Sequence, residues 1–148
     1  KPFSVIDYGS GFGSMFDFYK TQAPDFTFYG YDISEEMIVN AKETHKADTN
    51  AKWFTDIKEV PAAEFVIASG IFNVRLGNND ADWLAYILET LNTMNEKSTK
   101  GFAFNMLTKY SDAEYMKDYL YYADPLFIFD HCKRHFSKWV ALKHDYPL

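Results

Sequence analysis

The sequence predicts an α/β fold in which a doubly wound, mostly parallel sheet carries helices on both faces. Strand-like and helix-like segments alternate along the 148 residues, and such alternation is typical of parallel sheets joined by crossover helices. The strand-like segments are nearly continuous apolar runs, as expected when helices cover both faces of a sheet. A chain of this length fits a single domain, which spans residues 1–148.

Segments rich in aromatic and β-branched residues are predicted as strands. In chain order they are FSVIDY (3–8), FTFYGYD (26–32), AKWFTDI (51–57), EFVIASG (64–70), GFAFNML (101–107) and SKWVALKHDY (137–146). The chain begins next to the first of these segments and ends in HDYPL, where another strand begins. We therefore expect a fragment of a longer chain, trimmed at the N-terminus and in the last strand.

Helices are predicted between the strands. Ser34 is suited to cap the second of them, and Pro125 suits the first turn of the fourth. The third has apolar residues at three- and four-residue steps, the period of a helix with one buried face. The predicted helices are SMFDFYKTQ (14–22, ended by Ala23, Pro24 and Asp25), SEEMIVNAKETH (34–45), NNDADWLAYILETLNTMNEK (78–97) and a segment from Asp124 to about His135.

Composition limits the partners and the compartment. The net charge is −6 and the isoelectric point about 5.1, so the chain lacks the basic excess that neutralises nucleic-acid phosphates. The single cysteine, Cys132, excludes an internal disulfide framework and fits a reducing cytoplasm. No apolar run approaches the ~18 residues of a membrane span. We expect a cytoplasmic protein that binds neither nucleic acid nor membrane.

Three glycines at alternate positions, Gly9, Gly11 and Gly13, follow the first predicted strand directly. In a parallel sheet this turn lies at the strand ends where ligands bind, and it leads into a helix N-terminus. A dinucleotide-binding G-x-G-x-x-G pattern would need glycine where the chain has Ser14. Asp7 would also repel a pyrophosphate, whereas it would attract an ammonium group. These residues favour a ligand with a cationic group over NAD.

Four segments in order resemble the motifs of the class I S-adenosylmethionine-dependent methyltransferases. VIDYGSGFG resembles the family's first motif, an acid followed by three alternating glycines. FYGYDISEEMIVNAKE resembles its second strand and helix, WFTDIKEV its third-strand motif, and FVIASGIFNV stands where the fourth-strand motif belongs. The resemblance covers residues 3–146 and implies a Rossmann-like fold with S-adenosylmethionine as cofactor. More weakly, SGIFNV and GFAFNMLT resemble bacterial small-molecule methyltransferases, which implies a small-molecule acceptor.

The resemblance also implies which residues bind the cofactor. Its methionine part is expected against the glycine turn and the end of the fourth strand, with Asp7 near the amino group. Its ribose hydroxyls are expected on the carboxylate of Asp32, and its adenine between apolar side chains and the third-strand acid. The implied cofactor-binding residues are Asp7, Gly9, Ser10, Gly11, Gly13, Asp32, Ile33, Met37, Asp56, Ile57, Ala68 and Ser69.

Substrate-facing residues are expected in the loops at the carboxyl ends of strands four and five and in the last turn. They are Phe72, Asn73 and Arg75, then Thr108 and Tyr110, then His144, with Asp145 and Tyr146 beside it. His144 is the titratable base best placed for catalysis, and Asn73 is a second candidate. A histidine at this position also fits a plain hairpin-turn residue, and this interpretation stays open. The Asn-Pro-Pro-Tyr signature of nitrogen-methylating family members is absent at residues 71–74, which disfavours nucleic-acid bases and glutamine as acceptors.

Several of these residues have simpler interpretations, which stay open. Asp32 to Ser34 fits a turn with a helix cap, and the tyrosine-rich stretch at 115–122 fits either an aromatic lid or a packed connector. His131 and His135 have the spacing of metal ligands on a helix but lack a third ligand, and Cys132 between them fits a small buried residue. At the level of function, a non-catalytic binding subunit and an NAD-type domain are the alternatives.

Overall fold

Five strands form one parallel sheet in a computed structural model that describes residues 1–23 and 25–145. The strands are β1 (Phe3–Tyr8), β2 (Phe26–Tyr31), β3 (Ala51–Phe54), β4 (Ala63–Ala68) and β5 (Ser98–Phe104). Their order across the sheet is β3-β2-β1-β4-β5. The chain moves outward from β1 on one side and returns to β4 on the other, so the order reverses beside the carboxyl end of β1. Ligands of such sheets bind at this reversal.

Four α-helices cover the two faces of the sheet: α1 (Ser14–Gln22), α2 (Glu35–Thr44), α3 (Asp80–Lys97) and α4 (Pro125–His135). Three of them begin at side-chain caps, as the sequence indicates. Ser34 accepts from the amide of Met37 at 3.4 Å, and Asp124 accepts from the amides of Leu126 and Phe127. By contrast, α1 begins at Gly13 without a side-chain cap.

Two apolar clusters lie on opposite sides of the sheet, because successive residues of β1 point to opposite faces. Val5 belongs to the cluster around α1 and α2, with Phe16 and Trp53. Ile6 belongs to the cluster around α3 and α4, with Leu91 and other residues of α3. The prediction of a doubly wound parallel sheet with helices on both faces is therefore confirmed.

The predicted strands differ from the structure in three places, the first being β5, which begins at Ser98 and ends at Phe104 where residues 101–107 were predicted. Residues 137–145 form no strand, and Trp139 is 92% exposed. A strand needs a hydrogen-bonded neighbour, and this segment is separated from β5 by a cavity of about 830 Å³ lined by both. The third strand ends at Phe54 and is followed by a 3₁₀ turn, Ile57–Glu59. Pro24 and Tyr146 lie outside the described residues.

Candidate active site

The glycine turn, residues 9–13, is anchored on the end of β2. The amides of Gly9 and Ser10 both donate to the carbonyl of Tyr31, at 2.8 and 2.9 Å. The amide of Gly13 donates back to the carbonyl of Ser10 at 3.0 Å, and α1 starts at the next residue. The turn therefore connects the central strand to a helix N-terminus at the point where the strand order reverses.

Close packing and backbone conformation both require glycine at two positions of this turn. Gly9 has φ +90°, and a Cβ there would lie 2.3 Å from Cγ2 of Ile71. Gly13 has φ +95°, and a Cβ there would lie 2.6 Å from Cη2 of Trp53. Side chains rarely adopt such positive φ values, so substitution at either position would strain the turn and force its neighbours apart.

The space beside Gly11 is open, in contrast to its neighbours. A Cβ at Gly11 would meet nothing within 4 Å. The amide of Gly11 donates to Oδ2 of Asp32 at 2.9 Å, which joins the glycine turn to the residue that follows β2. An open backbone surface next to a carboxylate is what a ligand needs to approach the main chain closely.

Asp32 uses both carboxylate oxygens in the structure. Oδ1 accepts from the amide of Ser34 at 2.9 Å, and Oδ2 accepts from Gly11. The simpler interpretation of Asp32 to Ser34 as a turn with a helix cap thus describes part of the arrangement, with Ser34 as the cap of α2. A carboxylate has about four acceptor sites, so each oxygen retains capacity for a hydroxyl donor.

Apolar surface lies next to Asp32 along the start of α2. Ile33 is 87% exposed, and Met37 is half-buried. Asp56 is exposed, and its Oδ1 accepts from the amide of Lys58 at 2.9 Å as the cap of the 3₁₀ turn. Ile57 is half-buried and packs against the core. This surface suits an adenine ring, and contacts between adenine and these four residues stay a prediction.

Asp7 is a buried acid at the end of the central strand. It pairs in register with Gly30 of β2 and Ile67 of β4, and only 4% of its surface is exposed. Burial, followed by the charge of Asp32, raises the pKa of Asp7 to about 7. A carboxyl group with this pKa is partly protonated at neutral pH, and a cation beside it would favour its ionised form.

Asn105 is a site residue that the sequence analysis missed. Its Oδ1 accepts from the amide of Gly70 at 2.7 Å, and its Nδ2 donates to Oγ of Ser69 at 3.1 Å. Ala68 is buried, while Ser69 is exposed. Asn105 was placed inside the fifth predicted strand, although a single polar residue in the run GFAFNML was a signal that the strand ends there. It fixes the carboxyl end of β4 against that of β5.

Of the predicted substrate-facing residues after β4, Phe72 is buried, whereas Asn73 and Arg75 have hydrogen-bond partners and stay predictions. Phe72 is fully buried, with its ring 5.9 Å from that of Phe104, so its prediction is corrected: the loop after β4 turns this ring into the core. Oδ1 of Asn73 accepts from the amide of Leu107 at 3.2 Å. Arg75 pairs with Asp80 at 2.6 Å and also donates to the carbonyl of Asp118.

The structure brings Thr108, Tyr110 and His144 together. Oγ1 of Thr108 and Nε2 of His144 are 2.9 Å apart, and the ring of Tyr110 lies 5.8 Å from that of His144, edge to face. Thr108 and His144 also line the cavity of about 830 Å³ between β5, α4 and residues 139–144. Asn105 lines the same cavity, which links it to the carboxyl end of β4.

The histidines of α4 do not form a metal site with the residues around them. The rings of His131 and His135 lie 4.3 Å apart, but no group of three potential metal ligands is found among residues 1–23 and 25–145. Burial, followed by His135, lowers the pKa of His131. Cys132 is buried, which raises the pKa of its thiol and agrees with a packing residue.

None of the helices in the described part of the chain is long and apolar enough to span a membrane.

Comparison with known proteins identifies a relative over nearly the whole chain. The chain is 45% identical over 147 residues to a Mycobacterium tuberculosis protein, Rv1506c, which is named as a methyltransferase. The match covers 99% of this chain and 89% of the relative. No model of a protein family matches the chain.

Solved structures show the same fold at low sequence identity. They include the mycolic acid cyclopropane synthase CmaA1 with SAH and CTAB (TM-score 0.57, 11% identity, 72% of this chain). They also include the plantazolicin methyltransferase BpumL with a desmethylPZN analogue and SAH (TM-score 0.51, 20% identity, 70% of this chain). The chain spans 37% and 39% of these two structures.

We predict that replacing Asp7 by asparagine stabilises the ligand-free protein above neutral pH. The ordinary pKa of an aspartate is 3.8, and burial raises that of Asp7 to about 7, so the folded state binds this proton more tightly than the unfolded state. The parent therefore loses stability as pH rises from about 4 to about 7, and Asp7→Asn removes this loss. At ~1.4 kcal/mol per pKa unit, the upper bound is about 4 kcal/mol.

Urea unfolding of Asp7→Asn and the parent at pH 5 and pH 8, without ligand, measures this difference. A stability advantage of the variant that grows with pH is expected. An advantage that is the same at both pH values would contradict the burial of an ionising carboxyl at this position.

Proposed function

The chain belongs to the class I S-adenosylmethionine-dependent methyltransferase family, and from this premise we propose that it methylates a small-molecule acceptor. The observation that carries the proposal is the bond from the Gly11 amide to Asp32 at 2.9 Å. It joins an open glycine turn, a carboxylate with spare acceptor capacity and the apolar surface of Ile33 at the reversal of strand order. A nucleoside with a cationic amino-acid group fits this combination.

Under this proposal, one group of residues binds the methionine part of the cofactor and a second group binds its nucleoside part. The glycine turn, Ala68 and Ser69 hold the methionine part, and Asp7 faces its ammonium group. Two acids at this edge support a cationic ligand, since burial and then the charge of Asp32 raise the pKa of Asp7. For the nucleoside part, Asp32 accepts from the ribose hydroxyls, Ile33 and Met37 cover the adenine, Asp56 accepts from its amino group, and the Ile57 amide donates to a ring nitrogen.

When bound, S-adenosylmethionine supplies an activated methyl group, so the protein mainly has to hold the acceptor in line with it. We place the acceptor at the group formed by Thr108, Tyr110 and His144, beside the carboxyl ends of β4 and β5. The acceptor proton passes to Oγ1 of Thr108 while the hydroxyl proton of Thr108 passes to Nε2 of His144, which lies 2.9 Å from that oxygen. The roles of Asn73 and Arg75 are to hold the surrounding loops, as their bonds to Leu107 and Asp118 indicate.

A small molecule is the acceptor class that the charge and the cavity support best. The net charge of −6 disfavours nucleic acid, whose binding rests on phosphate neutralisation. The cavity of about 830 Å³ beside Thr108 and His144 falls within the size range of small-molecule sites. The buried free thiol of Cys132 suits a reducing compartment, and we place the protein in the cytoplasm.

We predict that the protein binds S-adenosylmethionine and S-adenosylhomocysteine with micromolar dissociation constants, about −8 kcal/mol, and does not bind NAD. The buried acid at Asp7 favours an ammonium group and repels a pyrophosphate. Isothermal titration calorimetry with the three ligands under identical conditions measures this. Binding of NAD with no response to either sulfur nucleoside would overturn the proposal.

We predict that Asp32→Ala weakens S-adenosylhomocysteine binding by roughly 2–3 kcal/mol, because the ribose hydroxyls and the Gly11 amide lose a charged acceptor. Asp32→Asn loses less, because one acceptor oxygen remains. Asp130→Ala is the matched control, since this exposed aspartate on α4 pairs, among residues 1–23 and 25–145, only with Arg134 in its own helix. Equal affinities of Asp32→Ala and Asp130→Ala would assign Asp32 to the turn alone.

We predict that His144→Ala lowers turnover while the affinity for the cofactor product changes by less than about 0.5 kcal/mol, because His144 is assigned to the acceptor. The acceptor is first identified by screening metabolite pools for methyl transfer from labelled S-adenosylmethionine. His135→Ala on the exposed part of α4 serves as control. Full turnover by His144→Ala, or weakened cofactor binding, would show that this placement of the acceptor is wrong.

A further inference from the structure

His45 is a buried polar residue beside the glycine turn that has no part in the proposed chemistry. It follows α2 as its C-terminal cap, and only 4% of its surface is exposed. Its ring lies parallel to that of Trp53, with centroids 5.2 Å apart, and edge-on to Phe16 at 5.0 Å. His45 and Trp53 thus form a stacked pair, which we call the ring floor.

The ring floor lies directly against Gly13, the last residue of the glycine turn. A Cβ at Gly13 would lie 2.8 Å from Nε2 of His45 and 2.6 Å from Cη2 of Trp53. Gly13 also has φ +95°, one of several conformations that glycine populates readily. Because glycine itself does not select this conformation, its neighbours have to.

The other ring nitrogen of His45 faces charged groups on two segments. Nδ1 lies 3.4 Å from Oδ2 of Asp48 and 3.9 Å from Oδ1 of Asp17, which is in the first turn of α1. Nζ of Lys20 lies 3.1 Å from Asp17 and 3.3 Å from Asp48. The two carboxylates favour the tautomer with its hydrogen on Nδ1, which leaves the lone pair on Nε2.

Nε2 of His45 is then an acceptor directed at the glycine turn. It is buried and has no hydrogen-bond partner in the described part of the chain. A buried acceptor without a partner is costly, and an apolar ring would fill the same space without that cost. The unpartnered nitrogen therefore gives no stability of its own, and what His45 contributes to the glycine turn is its flat ring against Gly13.

We propose that His45 is a positioning residue for cofactor binding, an inference that rests on the proposed function. With Trp53, it holds Gly13 in its left-handed conformation, and so keeps the turn in the geometry that places the Gly11 amide on Asp32. Without the ring floor, the turn samples other conformations. The affinity for the cofactor then falls in proportion to the fraction of molecules that retain the competent turn.

The test compares His45→Ala, His45→Phe and Leu91→Ala with the parent. His45→Phe keeps a flat ring against Trp53, whereas Leu91→Ala makes a cavity in the fully buried cluster on the other face of the sheet. Affinity for S-adenosylhomocysteine is measured by calorimetry below the melting temperature of every variant. Should His45→Ala not fold, His45→Leu, which keeps the volume and removes the ring, takes its place.

We expect His45→Ala to bind S-adenosylhomocysteine about tenfold more weakly than the parent, and His45→Phe to recover most of that loss. Leu91→Ala, though destabilised, should bind as the parent does. Affinity of His45→Ala within about twofold of the parent would overturn the inference, as would an equal loss in Leu91→Ala.

A second measurement separates this inference from the proposed function. Hydrogen exchange of the Gly11 amide, followed by NMR without any ligand, reports the turn alone. Faster exchange of this amide in His45→Ala but not in Leu91→Ala supports the positioning role. This result would stand even if the parent did not bind S-adenosylhomocysteine and the proposed function were wrong. Unchanged exchange in His45→Ala would overturn the inference while leaving the proposed function intact.

Discussion

The hydrogen bond from the Gly11 amide to Oδ2 of Asp32, 2.9 Å long, is the contact on which the geometry of the candidate cofactor site depends. It connects the turn after β1 to the residue after β2. The amides of Gly9 and Ser10 reach the end of β2 as well, through the carbonyl of Tyr31. The start of α1, the open space beside Gly11 and the carboxylate of Asp32 are therefore fixed relative to one another.

The same arrangement brings two acids close together at one edge of the sheet, and this costs stability. Asp7 is buried, and its pKa is raised to about 7 by burial and by Asp32. A protein selected only for stability would carry an amide or an apolar residue there, since strained or unfavourable groups concentrate at functional sites. The cost is offset when the ammonium group of a ligand lies beside Asp7, which is the situation that the proposed function describes.

Much of the fold could be predicted because local signals and tertiary packing agree. The helix α1 spans the predicted residues 14–22, directly after the glycine turn. The helix α4 begins at Pro125, a residue that suits the first turn of a helix. The strand predicted at residues 137–146 is absent from the described residues 137–145, because its composition suits a strand, whereas strand formation depends on a neighbour that composition does not reveal. Phe72 was predicted to face the substrate, but its ring is buried in the core. The sequence does not distinguish the two, because an aromatic residue in a loop can face either a ligand or the core.

The missed residues act through long-range contacts. Asn105 bonds to Ser69 and Gly70, 36 and 35 positions earlier in the chain. His45 contacts Gly13 across the start of α1. Sequence patterns report the period of a helix or strand and the chemistry of a turn, but they do not report which distant side chain supports that turn. Asp32 could be proposed from the sequence because its place after the glycine motif is itself a short-range signal, and its bond to Gly11 agrees with that place.

A crystal structure of the protein with S-adenosylhomocysteine tests the central claim most directly. The account predicts both ribose hydroxyls within hydrogen-bond distance of the Asp32 carboxylate, the ammonium group beside Asp7 and the Gly11 amide still bonded to Asp32. A nucleoside bound away from this edge of the sheet, or an Asp32 that contacts only Gly11 and Ser34 in the complex, would contradict it.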